Sequence, residues 1–219
     1  MNHPTGFTPH SSGRRGHGSK LLTAVFLIVG VVGVGGAIAF WSDRKRLVKH
    51  VAERDHLAVP AAWVLGVQGP PPEAREPLVA ALEQGEPRLR AAAARALGAY
   101  KKRDVVAELG RAAVKDEAPA VRAAAVEALG TVGESNGRTF VERAFHDDAL
   151  EVRLAACDAV ASLHMVDHVP TLVGLLASTD LKLRQAAKRA LDRFLPEGDA
   201  SFEFDQRAWL EWYHRGGAR

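Results

Sequence analysis

The chain has 219 residues, of which 47% are hydrophobic and 25% are charged, a composition typical of a folded protein. Its single cysteine, Cys157, excludes an internal disulfide and any CxxC metal site. The net charge of +3 comes entirely from Arg14, Arg15 and Lys20, because residues 1–41 contain no acid and the remaining 26 basic residues equal the 26 acidic ones. The rest of the chain is therefore balanced in charge and lacks the basic stripe typical of nucleic-acid-binding proteins.

The first two segments predict a tail and a membrane helix. Residues 1–20 are rich in Gly, Ser, His and Pro, which predicts a disordered tail. Residues 21–41 contain no charge, and about 20 helical residues cover the roughly 30 Å of a bilayer's hydrocarbon core. Lys20 borders one end, while Trp41 and a basic run starting at Arg44 border the other, as is typical of membrane interfaces. The segment predicts a single transmembrane helix.

Two alternatives to a transmembrane helix stay open. Ala37-Ile38-Ala39 resembles a signal-peptide cleavage site, although the apolar run exceeds the usual length of about 7–15 residues. A buried helix of a soluble domain is the other alternative. If the segment spans a membrane, the pairs Gly33/Ala37 and Gly35/Ala39 predict a face for homo-oligomer packing. The larger number of basic residues on its C-terminal side favours a cytoplasmic position for the rest of the chain.

Residues 42–76 predict a juxtamembrane helix followed by a degenerate first repeat. The helix has an apolar face made of Leu47, Val48, Val51 and Ala52. Residues 60–66 align loosely with residues 92–98, which belong to the first clear repeat. The Gly-Pro-Pro-Pro run at residues 69–72 then breaks the chain.

Residues 77–198 contain four near-copies of one pattern, in which Val or Leu is followed by Arg and then by an alanine-rich stretch. The repeated arginines are spaced 32, 31 and 31 residues apart along the sequence, and they are Arg90, Arg122, Arg153 and Arg184. A period of this size indicates stacked supersecondary units rather than one globular core. The predicted fold class is all-α, a short solenoid of helix pairs preceded by one transmembrane helix.

Each unit is predicted to be two helices joined by a short polar turn. Pro87 and Pro119 fall in the first turn of a second helix, where proline is tolerated, and the polar residues before them are available as caps. The alanine-rich second helices combine high helix propensity with small volume, which favours close packing. We expect the repeated arginines to pair with turn acids such as Asp116 and Asp147, or with carbonyls, and Cys157 to be buried.

The Val/Leu-Arg-x-Ala-Ala-x-x-Ala-Leu pattern of residues 77–192 resembles short HEAT-like repeats of the kind found in phycobilisome lyase subunits and many bacterial scaffold proteins. The resemblance implies the fold and leaves the function open, because the same repeats serve unrelated tasks. Deoxyhypusine hydroxylase has similar repeats and holds iron through His-Glu dipeptides, none of which occurs here. A bilin-lyase-type subunit remains as the enzymatic alternative.

We expect no catalytic site, no cofactor and no metal. His164 and His168 stand four residues apart beside Asp167, a spacing that zinc proteases use on a helix. No Glu follows the first histidine, however, and Pro170 ends the segment. The sequence also has no nucleophile elbow, phosphate loop or dinucleotide fingerprint.

Aligned positions of the four second helices supply candidate partner-binding residues. These are Arg95, Glu127, Asp158 and Arg189, which we call the surface column. If the surface column lines the concave face of the solenoid, that face is charged but balanced, which suits a protein partner better than a phosphate backbone. The alternative is an ordinary solvated helix face.

Residues 199–219 carry an aromatic cluster that is expected to close the stack. Asp205 is placed to cap a short helix on which Trp209, Trp212 and Tyr213 share one face. The alternative role for these three aromatic residues is a docking patch for a partner.

Together these features predict a non-catalytic, membrane-anchored HEAT-repeat scaffold or adaptor that mediates protein–protein interaction. A bilin-lyase-like enzyme subunit and a periplasmic adaptor with a cleaved signal sequence are the alternatives.

Overall fold

The structure is a computed structural model that describes residues 43–199 and 201–217. The described residues form eleven α-helices and four short 3-10 helices, without a β-strand among them. The α-helices are α1 Arg44–Glu53, α2 Ala58–Gln68, α3 Arg75–Gln84, α4 Pro87–Gly98, α5 Val106–Lys115, α6 Pro119–Val132, α7 Arg138–Ala144, α8 Leu150–Ser162, α9 Val169–Leu175, α10 Leu181–Asp192 and α11 Gln206–His214. The 3-10 helices are Pro72–Ala74, Arg103–Val105, Ser135–Gly137 and Val166–His168.

The predicted tail at residues 1–20 and the predicted membrane helix at residues 21–41 lie outside the described residues. Among the eleven helices above, none has the length and apolar character that crossing a bilayer requires.

Helices α1 to α10 form five consecutive pairs, and α11 follows the last pair. The two helices of each pair pack against each other, and the second helices pack in sequence, α2 on α4, α4 on α6, α6 on α8 and α8 on α10. First helices also contact their neighbours, α1 with α3, α3 with α5 and α5 with α7. The predicted all-α solenoid of helix pairs is confirmed for this part of the chain, with α1 and α2 as a complete first pair.

Small residues let the second helices approach one another closely. A Cβ atom added at Gly98 would lie 2.9 Å from the Cα and Cβ of Ala128. At the aligned position in the next helix, a Cβ on Gly130 would lie 2.9 Å from the Cα of Ala159. Both distances are shorter than carbon atoms tolerate, so glycine at this position sets the spacing between neighbouring repeats. The sequence prediction of close packing by small residues is confirmed.

The turns within the pairs differ in one detail from the prediction. Pro87 and Pro119 are the first residues of α4 and α6, as expected, but the N-cap residues of these helices make no side-chain cap hydrogen bond. Asp116 before α6 and Asp147 before α8 each accept a hydrogen bond of 2.9 Å from the backbone N–H two residues further on. The carboxylate therefore shapes the turn just before the helix rather than capping the helix itself.

Helix α11 closes the C-terminal end of the stack. Its N-cap residue, Asp205, accepts hydrogen bonds from two backbone N–H groups of the first turn, as predicted. The Gln206 side chain donates to the carbonyl of Val173 in α9 at 2.7 Å, which joins the cap to the last pair. Trp209 is fully buried beneath α11, and its indole N–H donates to the carbonyl of Glu203.

Candidate interaction surface

Two of the four repeated arginines, Arg90 and Arg122, form ion pairs between neighbouring units inside the stack. Arg90 donates to both carboxylate oxygens of Asp116 at 2.8 Å, and Arg122 donates to both oxygens of Asp147 at 2.7 and 2.8 Å. Each pair joins a second helix to the turn of the next unit. The side chains of Arg122 and Asp147 are only 16% and 13% exposed. We call these contacts the arginine ladder, and they confirm the predicted pairing with turn acids.

The third repeated arginine, Arg153, has no carboxylate partner, and the sequence explains why. The residue aligned with Asp116 and Asp147 in the following unit is Ser178, which carries no charge. Arg153 keeps the bonds to two carbonyls of its own turn, those of Asp147 at 2.7 Å and Asp148 at 3.0 Å, which Arg122 also makes to Asp116 and Glu117, but it lacks the carboxylate partner. The guanidinium groups of Arg90, Arg122 and Arg153 are used within the protein, so they do not form a basic surface for a partner. The fourth, that of Arg184, makes none of the expected bonds to an acid or a carbonyl within the described part of the chain.

The charges of the ladder stabilise one another, as their pKa values show. The hydrogen bonds from Arg122 hold the pKa of the Asp147 carboxyl below its ordinary value, and the bond to Asp147 raises the pKa of Arg122. Beside this pair lies an open groove of about 350 Å³ that also includes Arg143 and His146. Because Arg122 and Asp147 already satisfy each other, the groove does not offer an activated acid, base or nucleophile at these two residues.

The surface column lies on the exposed face of the second helices. Arg95 and Glu127 form an ion pair of 2.9 Å between α4 and α6, with 51% and 46% of their side-chain surface exposed. Asp158 on α8 and Arg189 on α10 are also exposed. The structure therefore brings the first two residues into direct contact and leaves all four accessible, as a protein-binding surface requires.

A fifth member of this face, Trp63, was missed by the sequence analysis. Trp63 lies on α2, 32 residues before Arg95, and it is 62% exposed. Val67, one turn further along α2, is 67% exposed. The sequence contained a signal for this exposure, because the loose alignment of residues 60–66 with residues 92–98 places Trp63 at the same repeat position as Arg95. The accessible face of the second helices thus begins with an apolar patch and continues with balanced charge.

The aromatic residues of α11 belong mainly to the interior of the cap. Trp209 and Trp212 are 0% and 8% exposed, and Phe202 packs edge-on against Trp209 with ring centroids 5.0 Å apart. A partner would reach these two indoles only if the cap opened. Tyr213 is half-buried, so its ring is the accessible one among the three aromatic residues that the sequence singled out.

The two histidines weighed as metal ligands lie in different surroundings. His164 is exposed and packs against Phe194, whereas His168 stacks on Phe145 with its Nε2 3.8 Å from the Glu142 carboxylate. Among residues 43–199 and 201–217, no group of three or more His, Cys, Asp or Glu side chains is placed to hold a metal.

The single cysteine is a packing residue, as predicted. Cys157 is fully buried in α8, and burial raises the pKa of its thiol to about 12. The thiolate that nucleophilic chemistry requires is therefore scarce at neutral pH.

Comparison with known proteins agrees with this architecture. The sequence pattern of HEAT repeats matches residues 45–130 and 75–151. This chain contains HEAT repeats. The match begins within α1, which places the first helix pair among the repeats even though its sequence is degenerate.

Two solved structures have a similar HEAT-like fold. One is a chain from the complex of CpcE and CpcF of phycocyanin lyase from Nostoc sp. PCC7120, with 22% identity, a TM-score of 0.59, and coverage of 77% of this chain and 67% of that chain. The other is an engineered protein, with 20% identity, a TM-score of 0.56, and coverage of 80% and 98%. The repeats therefore resemble lyase-type repeats in fold. No curated protein sequence gave a significant match.

Proposed function

We propose that this HEAT-repeat protein is a non-catalytic scaffold that holds a protein partner at a membrane. The observation that carries the proposal is the accessible surface column, which runs across four second helices with charges of both signs. A surface of this kind recognises a protein surface with a complementary arrangement of charges and offers no net attraction to a partner of uniform charge. The arginine ladder supports the proposal because it ties α4 and α6, two of the four helices that carry the column, to the units that follow them.

The membrane part of the proposal rests on the sequence of residues 21–41, whose uncharged run of 21 residues is long enough to span a bilayer. We place the repeats on the cytoplasmic side, following the basic residues after the segment. The small residues Gly33 and Gly35 support self-association within the membrane, which Gly33→Leu with Gly35→Leu should abolish. N-terminal sequencing of the mature protein tests the alternative of a periplasmic adaptor, because a cleaved signal would remove these residues.

Charge reversal on the surface column tests the scaffold. The full-length protein carrying Asp158→Lys and Arg189→Glu is captured from membranes, and its bound proteins are compared with those of the wild type. The matched control carries Glu76→Lys and Lys115→Glu, which make the same charge changes at exposed positions of two first helices, α3 and α5. We expect a protein that the column variant loses and the control retains. If both variants retain the same proteins, the surface column does not bind a partner.

A bilin-lyase-like subunit is the second candidate, favoured by the fold shared with the phycocyanin lyase complex. A lyase subunit would hold an open-chain tetrapyrrole, whose visible absorbance changes on binding to protein. The test is to add a bilin to the purified full-length protein and record the visible spectrum. An unchanged spectrum supports the scaffold, and a saturable shift in absorbance supports the lyase-like role.

A further inference from the structure

The first helix pair has a surface unlike that of the other pairs. At the position of the surface column, the later second helices carry charged residues, whereas α2 carries Trp63. Trp63 and Val67 are four residues apart, so they share one face of α2, and both are more than 60% exposed. Exposed large apolar residues that lie together on a helix indicate a contact surface more often than solitary ones do.

Basic side chains lie at the same end of this pair. The Arg44 guanidinium at the start of α1 donates to the carbonyl of Gln68, the last residue of α2, at 3.2 Å. The first turn of α1, with Lys45 and Arg46, is therefore next to the last turn of α2, which carries Val67. Residues 43–54 contain five basic and two acidic side chains.

The two acids of this segment offset only part of its charge. Asp43 pairs with Arg46 at 3.1 Å, and Glu53 lies 3.7 Å from Lys49, but both pairs are solvent-exposed and weak. Lys45 is exposed. An apolar patch containing tryptophan beside an excess of basic residues is the composition that binds the headgroup region of an anionic bilayer.

The chain itself supports a lipid as the occupant. Helix α1 begins three residues after Trp41, the last residue of the uncharged segment. Three residues reach at most about 11 Å. If residues 21–41 span the bilayer, Arg44 is held within that distance of the interface, and the neighbouring end of α2 is held close to it.

We propose that the N-terminal helix pair docks on the bilayer surface, with Trp63 and Val67 in the interfacial region and Lys45 and Lys49 against acidic lipid headgroups. This inference rests on the proposed membrane anchor. It adds that the anchor is not a free tether, because lipid contact by α1 and α2 would fix the orientation of the stack and hence the direction in which the surface column faces.

Quenching of tryptophan fluorescence by brominated lipid tests the docking. The full-length protein is reconstituted in vesicles of phosphatidylcholine and phosphatidylserine, with or without bromine on the acyl chains. Four tryptophans are present, and Trp63→Phe removes one exposed ring while leaving the buried pair of the cap intact. The signal lost in Trp63→Phe isolates the contribution of Trp63. We expect this contribution to fall at least twofold in brominated vesicles.

Two further variants separate the docking from the anchor. Lys45→Glu with Lys49→Glu should reduce the quenching of Trp63 while the protein stays in the membrane after alkaline extraction. The fluorescence lost in Trp41→Phe gives, in the same way, the contribution of Trp41 at the end of the uncharged segment. If Trp41 is quenched and Trp63 is not, the anchor stands and the docking is refuted. If alkaline extraction releases the protein and neither residue is quenched, the anchor fails and the docking fails with it.

Discussion

The arginine ladder should contribute far more to stability than the ion pairs on the surface. Arg122→Ala removes two hydrogen bonds, of 2.7 and 2.8 Å, from a carboxylate that is only 13% exposed. Charge-assisted hydrogen bonds contribute about 1.5–3 kcal/mol, and breaking a fully buried ion pair costs about 3–5 kcal/mol. Because some solvent reaches Asp147, we expect the free energy of unfolding to fall by about 2–3 kcal/mol.

Arg95→Ala is the matched control for this substitution. It removes the same side chain from another second helix and breaks an inter-repeat pair of similar length, 2.9 Å, but both partners are about half exposed. Exposed ion pairs contribute at most about 1 kcal/mol. Urea unfolding of the full-length variants in detergent, followed by circular dichroism, measures both losses. Equal losses for Arg122→Ala and Arg95→Ala would refute the reasoning, since burial would then make no difference.

The same pair predicts a dependence on pH. Because Arg122 lowers the pKa of Asp147 in the folded state, the stability that this carboxylate contributes is present above its unfolded pKa, about 3.9. That contribution is lost as the pH falls through the lower folded value. Asp147→Asn should therefore flatten the decline in stability below pH 4. If the free energy of unfolding of Asp147→Asn falls below pH 4 as steeply as that of the wild type, the pair of Arg122 and Asp147 is not the source of this pH dependence.

Three further outcomes follow from the packing. Ser178→Asp should give Arg153 the carboxylate that the two preceding units have, raising the free energy of unfolding by about 1 kcal/mol; an unchanged unfolding midpoint would show that the turn cannot bring the two together. Gly98→Ala should lower the free energy of unfolding by roughly 1–3 kcal/mol, because the added Cβ would meet the backbone of Ala128. A Cβ added at Gly174 would meet no atom within 4 Å, so Gly174→Ala should raise the free energy of unfolding by about 0.5–1 kcal/mol through higher helix propensity. Cys157 should resist a thiol reagent at pH 8 until denaturant is added, and rapid labelling of the native protein would contradict its burial.

The repeats could be predicted because their structure depends on residues that are close in sequence. The spacing of Arg90, Arg122 and Arg153, with an alanine-rich stretch after each, determines helix pairs whose burial depends only on the neighbouring units. The pairing of these arginines with turn residues was predictable for the same reason. The first pair was harder to recognise, because α2 has Pro60 and Trp63 where the later helices have alanine and a charged residue.

The accessibility of individual side chains was less predictable than the fold. The sequence of an aromatic cluster does not show whether its rings fill a cap or face solvent. The burial of Trp209 and Trp212 depends on how α11 packs against α9. Trp63 was missed for another reason: an aromatic residue within an apolar helix suggests a core position. The loose alignment of residues 60–66 with residues 92–98 nevertheless places Trp63 at the repeat position of the exposed Arg95, and its 62% exposure agrees with that alignment.

Site-specific photo-crosslinking is the measurement that tests the central claim most directly. A photoreactive residue placed at Asp158, in the surface column, and separately at Glu76, exposed on the first helix α3, is activated in native membranes containing the full-length protein. We predict a discrete protein adduct from position 158 and none from position 76. Adducts of equal yield from both positions, or none from position 158, would contradict the claim that the exposed face of the second helices is where this scaffold binds its partner.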